Sequence, residues 1–207
     1  MRLRSGQAAP LFEVADIYGR RVRLADYRGR KLLLAFYRAA VCPLCNVRTF
    51  HLIRRYEEYQ RRGMQIVVFF ESSPDLAHHY LDRLRSPFPI IADLKHEIYD
   101  HYGVGASLFG ALWARLTRLS VYREAAQRGI GGNAVQNITQ MDGKLGRLPG
   151  DFLIGPDLHI RRAYYGKDAG DFLLFSEIDE FVAAYPPHSS ATTGSPWAPP
   201  PPRNPAY

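Results

Sequence analysis

The sequence predicts an α/β fold in which a central mixed β-sheet is flanked by helices. Two runs, Lys31–Tyr37 and Met64–Phe70, are almost wholly apolar, which is typical of strands buried on both faces of a sheet. Between them, apolar residues recur every three positions from Leu44 to Tyr56, and this spacing predicts an amphipathic helix. A strand–helix–strand unit of this kind has parallel strands and a right-handed crossover.

Turn and capping residues define the elements around this unit. Residues 11–24 alternate apolar and polar residues around the turn Tyr18-Gly19-Arg20, which predicts an N-terminal β-hairpin. The central helix ends near Gly63, and Ser73 with Pro74 provides the N-cap and the first residue of a second helix. Two short elements follow in the prediction, a strand at 89–92 and a helix at 95–102.

The second half of the chain carries an insertion before the sheet is completed. Leucines at three- and four-residue spacing predict one helix over residues 106–127, and the Gly-, Asn- and Gln-rich residues 129–150 predict a loop. A loop of that length is either functional or mobile. Two strands at 151–155 and 158–164, joined by Pro156-Asp157, and a closing helix at 176–184 complete the predicted fold.

Length and composition predict one domain. A chain of 207 residues with 46% apolar residues can bury a single core, which we place at residues 1–185. Residues 186–207 are rich in Pro, Ser, Thr and Ala without apolar periodicity, so we expect a disordered tail. No apolar stretch reaches the roughly 20 residues that span a bilayer, and the N-terminus lacks the apolar core of a signal peptide. We therefore expect a cytoplasmic protein without a membrane contact.

The net charge of +7 is the feature that would favour a nucleic-acid partner. Scattered arginines can attract nucleic acid weakly and in a salt-sensitive way. No nucleic-acid-binding motif accompanies the charge, however, so we interpret it as a solvated surface. We expect no nucleic-acid partner.

The two cysteines, Cys42 and Cys45, carry the chemistry that the sequence predicts. They follow the first buried strand and open the helix, where unpaired backbone N–H groups and the helix dipole favour a thiolate. Cys42 is therefore the predicted nucleophile, with a pKa below the usual value of roughly 8.5. Pro43 suits the first helical position, and Cys45, one turn later on the same face, is the predicted resolving residue.

The two cysteines allow two other interpretations. Isolated cysteines are usually small buried apolar residues, but two at this spacing after a strand favour a redox pair. A C-x-x-C pair also supplies half of a zinc site. Here no second cysteine pair exists, and the histidines at positions 78, 79, 96 and 101 lie on other predicted elements. We expect neither a metal nor an organic cofactor.

Two segments, Phe36–Cys45 and Leu148–Asp157, give the chain a family resemblance. The sequence resembles the thioredoxin-like superfamily and, within it, the AhpC/TSA peroxiredoxin-like proteins, including the selenoprotein L-like group with C-x-x-C, over about residues 6–184. The resemblance implies a thioredoxin fold and a thiol oxidoreductase. It also implies that Pro149, before the late strand, forms a cis peptide and faces the cysteine pair.

The chain departs from the peroxiredoxin pattern around the expected peroxide site. The family has Thr three residues and Pro seven residues before its reactive cysteine, where this chain has Ala39 and Ala35. The family arginine before the late strand has no direct match, because Pro149 stands there. Arg147 lies nearby, and Arg38 is close to Cys42.

A proton acceptor for Cys45 is also needed. Thioredoxins carry a buried Asp six residues before the first cysteine, where this chain has Phe36. Glu71, at the end of the second central strand, is the candidate that the sequence offers.

Three functional hypotheses follow. The leading one is a peroxiredoxin-like oxidoreductase that reduces peroxides or disulfides through a Cys42–Cys45 cycle and is restored by thioredoxin or glutathione. The second is a protein dithiol–disulfide reductase without peroxidase activity. The third is a thioredoxin-fold binding module with vestigial cysteines. An apolar helix face could then bind a partner or form a homodimer, although we favour ordinary core packing for its residues, Phe109, Leu112, Trp113 and Leu116.

Overall fold

A five-stranded mixed β-sheet lies at the centre of the computed structural model, which describes residues 1–131 and 139–184. Two short strands, β1 (Glu13–Ala15) and β2 (Arg21–Arg23), precede it and pair as an antiparallel hairpin. The strands of the main sheet are β3 (Lys31–Tyr37), β4 (Met64–Phe70), β5 (Ile90–Ala92), β6 (Gly150–Ile154) and β7 (Ile160–Tyr165). Their spatial order is β5-β4-β3-β6-β7. The predicted hairpin and mixed sheet are confirmed.

Strand β3 occupies the middle of the sheet and is buried along its whole length. It pairs with β4 in parallel and with β6 in antiparallel register, and β7 continues the antiparallel half. Leu33, Ala35 and Tyr37 point to one apolar core, while Leu32, Leu34 and Phe36 point to the core on the other face. The near-continuous apolar sequence of β3 therefore reflects burial on both faces.

Helices cover both faces of the sheet. Their bounds are α1 (Pro43–Arg61), α2 (Pro74–Leu81), α3 (Glu97–His101), α4 (Leu108–Thr117), α5 (Leu119–Arg128) and α6 (Phe175–Ala184). Helices α1, α2 and α6 contribute to the core that contains both cysteines, whereas α3 packs on the opposite face with the N-terminal segment. None of the described helices is long and apolar enough to cross a bilayer.

The single helix predicted over residues 106–127 is wrong, because the chain forms two helices that meet at Arg118. The backbone of Arg118 leaves helical geometry, with φ −109° and ψ 29°. The Thr117 hydroxyl donates to the carbonyl of Trp113 at 3.0 Å, a local bond that disfavours a straight helix. The Arg118 guanidinium is also held by Asp168 at 3.0 Å. These contacts explain a break that apolar periodicity does not show.

Helix α4 presents an apolar face to solvent. Phe109, Leu112 and Trp113 are 75%, 61% and 51% exposed, and the Phe109 and Trp113 rings stack with centroids 6.2 Å apart. The prediction that these three residues pack into the core is therefore wrong. The side chain of Leu116 lies outside the described part of the chain.

Two other predictions fall partly or wholly outside the described residues. Residues 132–138 of the predicted loop lie outside the described residues. The whole of the predicted tail, 186–207, also lies outside them. Residues 140–147 are described, and we call them the strap because they contact Arg38 after β3 and Glu71 and Ser73 after β4. The strap ends in an isolated antiparallel bridge between Arg147 and Ala106.

Replacement of Ser73 by Ala tests the capping of α2. The Ser73 hydroxyl accepts a hydrogen bond from the Leu76 N–H at 3.4 Å. Its loss should lower the free energy of unfolding by about 1 kcal/mol and the melting temperature by about 2–4 °C, as measured by thermal and urea denaturation. The exposed Ser5→Ala change is the control and should leave both values unchanged. An equal effect of the two variants would contradict the assigned cap.

Candidate active site

The junction of β3 and α1 places Cys42 at a helix N-terminus. The Cys42 N–H donates to the Ala39 carbonyl at 2.9 Å, which closes a tight turn after the strand. Cys42 is the N-cap residue with extended backbone geometry, and Pro43 is the first residue of the helix. Proline costs nothing there because its missing N–H would have no intrahelical acceptor. The sequence prediction for this junction agrees with the structure.

A buried asparagine, Asn46, fixes the turn. Its amide nitrogen donates to the carbonyls of Ala40 and Cys42 at 2.7 and 2.8 Å. The Ala40 N–H in turn donates to the hydroxyl of Ser72 at 2.8 Å, which links the turn to the end of β4. These donors thus find acceptors within the turn and at the end of β4, so the backbone that carries Cys42 is held in one geometry.

The sulfur atoms of Cys42 and Cys45 lie 3.3 Å apart, with the Cys45 thiol donating to the Cys42 sulfur. Both cysteines are reduced. The hydrogen bond from Cys45 lowers the pKa of Cys42 to about 6, against the opposing effect of burial. The Arg38 charge and the backbone N–H groups of Cys45 and Leu44 contribute to the same lowering of the pKa. This is the stabilisation of a thiolate that a helix N-terminus provides.

Cys45 shows the opposite behaviour. Burial raises the pKa of the Cys45 thiol, and the hydrogen bond that it donates to Cys42, together with the charge of that sulfur, raises it further. Two titrating groups whose environments separate their pKa values have different roles. The geometry thus supports Cys42 as the nucleophile and Cys45 as the proton-bearing partner.

Arg38 is the cation beside the pair. One guanidinium nitrogen lies 3.8 Å from the Cys42 sulfur and the other donates to the carbonyl of Leu145 at 2.7 Å. The predicted supporting residue therefore contacts the nucleophile and ties it to the strap.

Arg147 and Glu71 form a buried ion pair with each other. The Arg147 guanidinium donates to both Glu71 carboxylate oxygens, at 2.6 and 2.9 Å, and also to the Val104 carbonyl. Both side chains are almost completely buried. The pair joins the end of β4 to the chain before β6, so it has a structural role. The carboxylate of Glu71, the proton acceptor that the sequence predicts for Cys45, is thus hydrogen-bonded to Arg147.

Pro149 does not have the expected conformation. The described residues contain no cis peptide bond, so the bond before Pro149 is trans and the expectation of a cis proline is wrong. Pro149 is buried, and its carbonyl accepts from the Gly166 N–H at 2.9 Å. Its contacts therefore fix the chain that enters β6.

Access to the sulfur atoms is restricted. Cys42 is only 1% exposed and Cys45 is fully buried, a feature that the sequence does not reveal. The strap packs closely here, since Asp142 accepts a hydrogen bond from the Ser73 N–H at 2.6 Å. Gly143 also lies so close to the Glu71 carbonyl that a Cβ would clash with it. Entry of an oxidant thus requires residues around the two sulfur atoms to move.

A second polar cluster near Cys45 was not foreseen from the sequence. Asp151 in β6 is fully buried, and it interacts with Arg48 of α1 and Tyr37 of β3. The sequence signal for this cluster is one carboxylate within the otherwise apolar strand Gly150–Ile154. An aspartate is rarely fully buried unless it has a polar or charged partner.

Comparison with known proteins places this geometry in a family context. Residues 5–163 match the model of the AhpC/TSA family. Chloroplastic peroxiredoxin Q of Populus jackii is 28% identical over 116 residues, which are 56% of this chain and 54% of the relative. The thiol-disulfide oxidoreductase ResA of Halalkalibacterium halodurans is 29% identical over 102 residues, 49% of this chain and 57% of the relative. The chain thus spans little more than half the length of these curated relatives.

A solved structure shows the same fold over more of the chain. The peroxidoxin BcpB of Mycobacterium tuberculosis superimposes with a TM-score of 0.61 and 16% identity, covering 88% of this chain and 96% of the other. At 16% identity this likeness concerns the fold alone. It supports the thioredoxin fold that the sequence predicts.

The pH dependence of Cys42 alkylation tests the origin of its low pKa. Because the pKa is lowered, the thiolate forms as pH rises through about 6, and the rate of labelling by iodoacetamide should rise with that midpoint. Restricted access scales the rate but leaves the midpoint in place. Cys45→Ala and Arg38→Met should each move the midpoint upward, as mass spectrometry of the labelled peptide would show.

The matched control for this test is Arg28→Met, because Arg28 is exposed on the surface. It should leave the midpoint where it is in the unmodified protein. A midpoint that is the same in all four proteins would show that neither neighbour stabilises the thiolate.

The ion pair of Arg147 and Glu71 is tested by a double-mutant cycle. Arg147→Met leaves a buried carboxylate without its partner and should lower the free energy of unfolding by about 3–5 kcal/mol. Adding Glu71→Gln should restore much of the loss. The exposed pair Arg21 and Glu13 is the control and should show a coupling of less than about 1 kcal/mol. An Arg147→Met protein as stable as the parent would contradict the structural role.

Proposed function

Because this chain belongs to the AhpC/TSA family, we propose that it is a peroxiredoxin-type thiol oxidoreductase that reduces small peroxides through a dithiol–disulfide cycle of Cys42 and Cys45. The observation that carries the proposal is the 3.3 Å contact in which the Cys45 thiol donates to the Cys42 sulfur. This contact ionises one sulfur and keeps the second within reach of it.

The cycle has three steps. The Cys42 thiolate attacks one oxygen of a hydroperoxide, so that an S–O bond forms, the O–O bond breaks, and the leaving oxygen takes a proton to become water or an alcohol. Cys45 then attacks the sulfenic sulfur of Cys42, forming the disulfide and releasing water. An external dithiol, or two glutathione molecules, reduces the disulfide and is itself oxidised.

The neighbours of Cys42 fit the first step. The Arg38 guanidinium, 3.8 Å from the sulfur, faces the place where negative charge develops on the peroxide oxygen, and a fixed cation stabilises such charge. Burial of the sulfur favours an oxidant of a few atoms over the disulfide of a folded protein. None of the three steps of the cycle needs a metal or an organic cofactor.

A second candidate is a dithiol–disulfide reductase without peroxidase activity, and one observation favours it. Arg147 lies nearest in sequence to the position of the arginine that peroxiredoxins have before the late strand. Its guanidinium donates to Glu71 and to a backbone carbonyl instead. Ala39 also stands where peroxiredoxins have a threonine. Any reduction of peroxide by this chain would therefore depend on the charge of Arg38.

An activity assay with two oxidants distinguishes the candidates. The purified protein should consume hydrogen peroxide or a small organic hydroperoxide in the presence of a thioredoxin system or glutathione. It should reduce insulin disulfides poorly, because the buried sulfur does not reach a protein disulfide. Cys42→Ser should abolish peroxide consumption, and Cys45→Ala should stop after one turnover with a sulfenic acid on Cys42 that dimedone traps.

The other outcomes assign the protein differently. Insulin reduction without peroxide consumption would support the reductase and contradict the peroxidase. Absence of both activities, with Cys42→Ser equal to the parent protein, would support a binding module with vestigial cysteines.

A further inference from the structure

Helix α4 turns its small residues inward and its large apolar residues outward. On the inward side, Ala114 is fully buried, and Gly110 lies so close to the Lys167 carbonyl that a Cβ would clash with it. A surface helix normally places its large apolar side chains against the core. The large apolar side chains of α4 project to solvent instead, and we call them the α4 face: Leu108, Phe109, Leu112 and Trp113.

The α4 face is one continuous apolar surface. Its residues are spaced i, i+1, i+4 and i+5, which places them on one side of a helix, and each is at least half exposed. Leu145 of the strap, 53% exposed, begins beside it, because the next residue, Gly146, packs against the Leu108 backbone. Exposed apolar patches of this kind mark sites of contact with a protein, a membrane or a ligand.

The two helices of the insertion carry an excess of positive charge. Residues 108–128, which form α4 and α5, contain four arginines and one acidic residue, Glu124. The carboxylate of Glu124 contacts His51 and Arg128, each at 2.9 Å. The only acidic group of the two helices is therefore held by side chains of the protein itself.

The two segments that touch α4 keep this balance of charge. Lys144 of the strap and Lys167 after β7 are both exposed. Residues 108–128, 140–147 and 166–171 together contain seven lysines and arginines and four acids. The acids of the two touching segments accept hydrogen bonds from within the protein, and they are Asp142, Asp168 and Asp171. The surroundings of the α4 face are thus basic.

We propose that the α4 face docks the protein on the surface of an anionic lipid bilayer. Leucine, phenylalanine and tryptophan enter the boundary between headgroups and acyl chains, and neighbouring lysines and arginines are attracted to anionic headgroups. A helix that lies in this boundary needs no spanning length, which agrees with the lack of a spanning helix among the described residues. The inference goes beyond the proposed function and does not depend on the cysteine cycle.

A second copy of this chain fits the α4 face less well. A symmetrical dimer brings the same surface of both copies together, so the positive charge around one α4 face would meet that around the other. Like charges across an interface disfavour association. An anionic bilayer instead offers an apolar layer and negative groups at the same place.

Trp113 can report this contact directly. The sequence has one other tryptophan, Trp197, so a Trp197→Phe protein keeps Trp113 as its single indole. With vesicles of phosphatidylcholine and one-third phosphatidylglycerol at low salt, the Trp113 emission should move to shorter wavelength and the protein should sediment with the vesicles. Vesicles of phosphatidylcholine alone should bind at least about 10-fold more weakly. About 1 M NaCl, where the Debye length is about 3 Å, should also weaken binding to the anionic vesicles.

The double variant Phe109→Ser, Leu112→Ser tests the face itself. Both side chains are exposed, so the change should leave the folded structure intact. Partitioning onto anionic vesicles should fall by about 10- to 100-fold, because two of the four inserted side chains become polar. Leu11→Ser is the matched control. Leu11 is 67% exposed and belongs to the N-terminal segment, which packs on the opposite face of the sheet from Ala114, so this variant should bind like the parent.

The remaining outcomes would overturn the inference. Folded protein that stays in the supernatant with anionic vesicles at low salt would exclude bilayer docking. Binding that the double variant retains, without a shift of the Trp113 emission, would place the contact on another surface. Sedimentation velocity without vesicles detects a second copy, and a dimer that the double variant converts to a monomer would assign the α4 face to self-association instead.

Discussion

The hydrogen bond between two sulfur atoms at the start of α1 is the interaction on which the rest of the site depends. Its donor, Cys45, and its acceptor, Cys42, are held 3.3 Å apart by one helical turn. Lowering the pKa of a thiol from roughly 8.5 to about 6 corresponds to about 3 kcal/mol in favour of the thiolate. The turn after β3 and the hydrogen bonds that the Asn46 amide donates hold the backbone in this geometry.

Burial acts in opposite directions on the two sulfurs and explains their division of labour. Removal from water disfavours either thiolate, but Cys42 recovers the loss through a thiol donor, backbone N–H groups and the Arg38 charge. Cys45 faces an anion instead, so burial and that neighbour both keep its proton in place. The structure thus combines one sulfur whose thiolate is stabilised with one sulfur that keeps its proton.

Sequence patterns predicted the parts of the molecule that depend on local physics. The two buried strands, the capped start of α2 and the C-x-x-C helix follow from apolar runs and from the preferences of Ser, Pro and Cys, and the structure agrees. Tertiary contacts account for what was missed. Arg118 breaks a periodic helix through its bond to Asp168, and Glu71 forms an ion pair with Arg147. Strand pairing places Asp151 opposite Ala35, which no spacing along the chain reveals.

The most direct measurement is a carbon-13 NMR titration of the reduced protein with labelled cysteine, assigned by single substitution, because each Cβ shift reports the ionisation of its own sulfur. The account predicts that Cys42 titrates near pH 6, while Cys45 keeps its proton until the solution is strongly alkaline. Two cysteines that titrate together near the usual thiol pKa of roughly 8.5 would contradict it, since neither sulfur would then be ionised by the other.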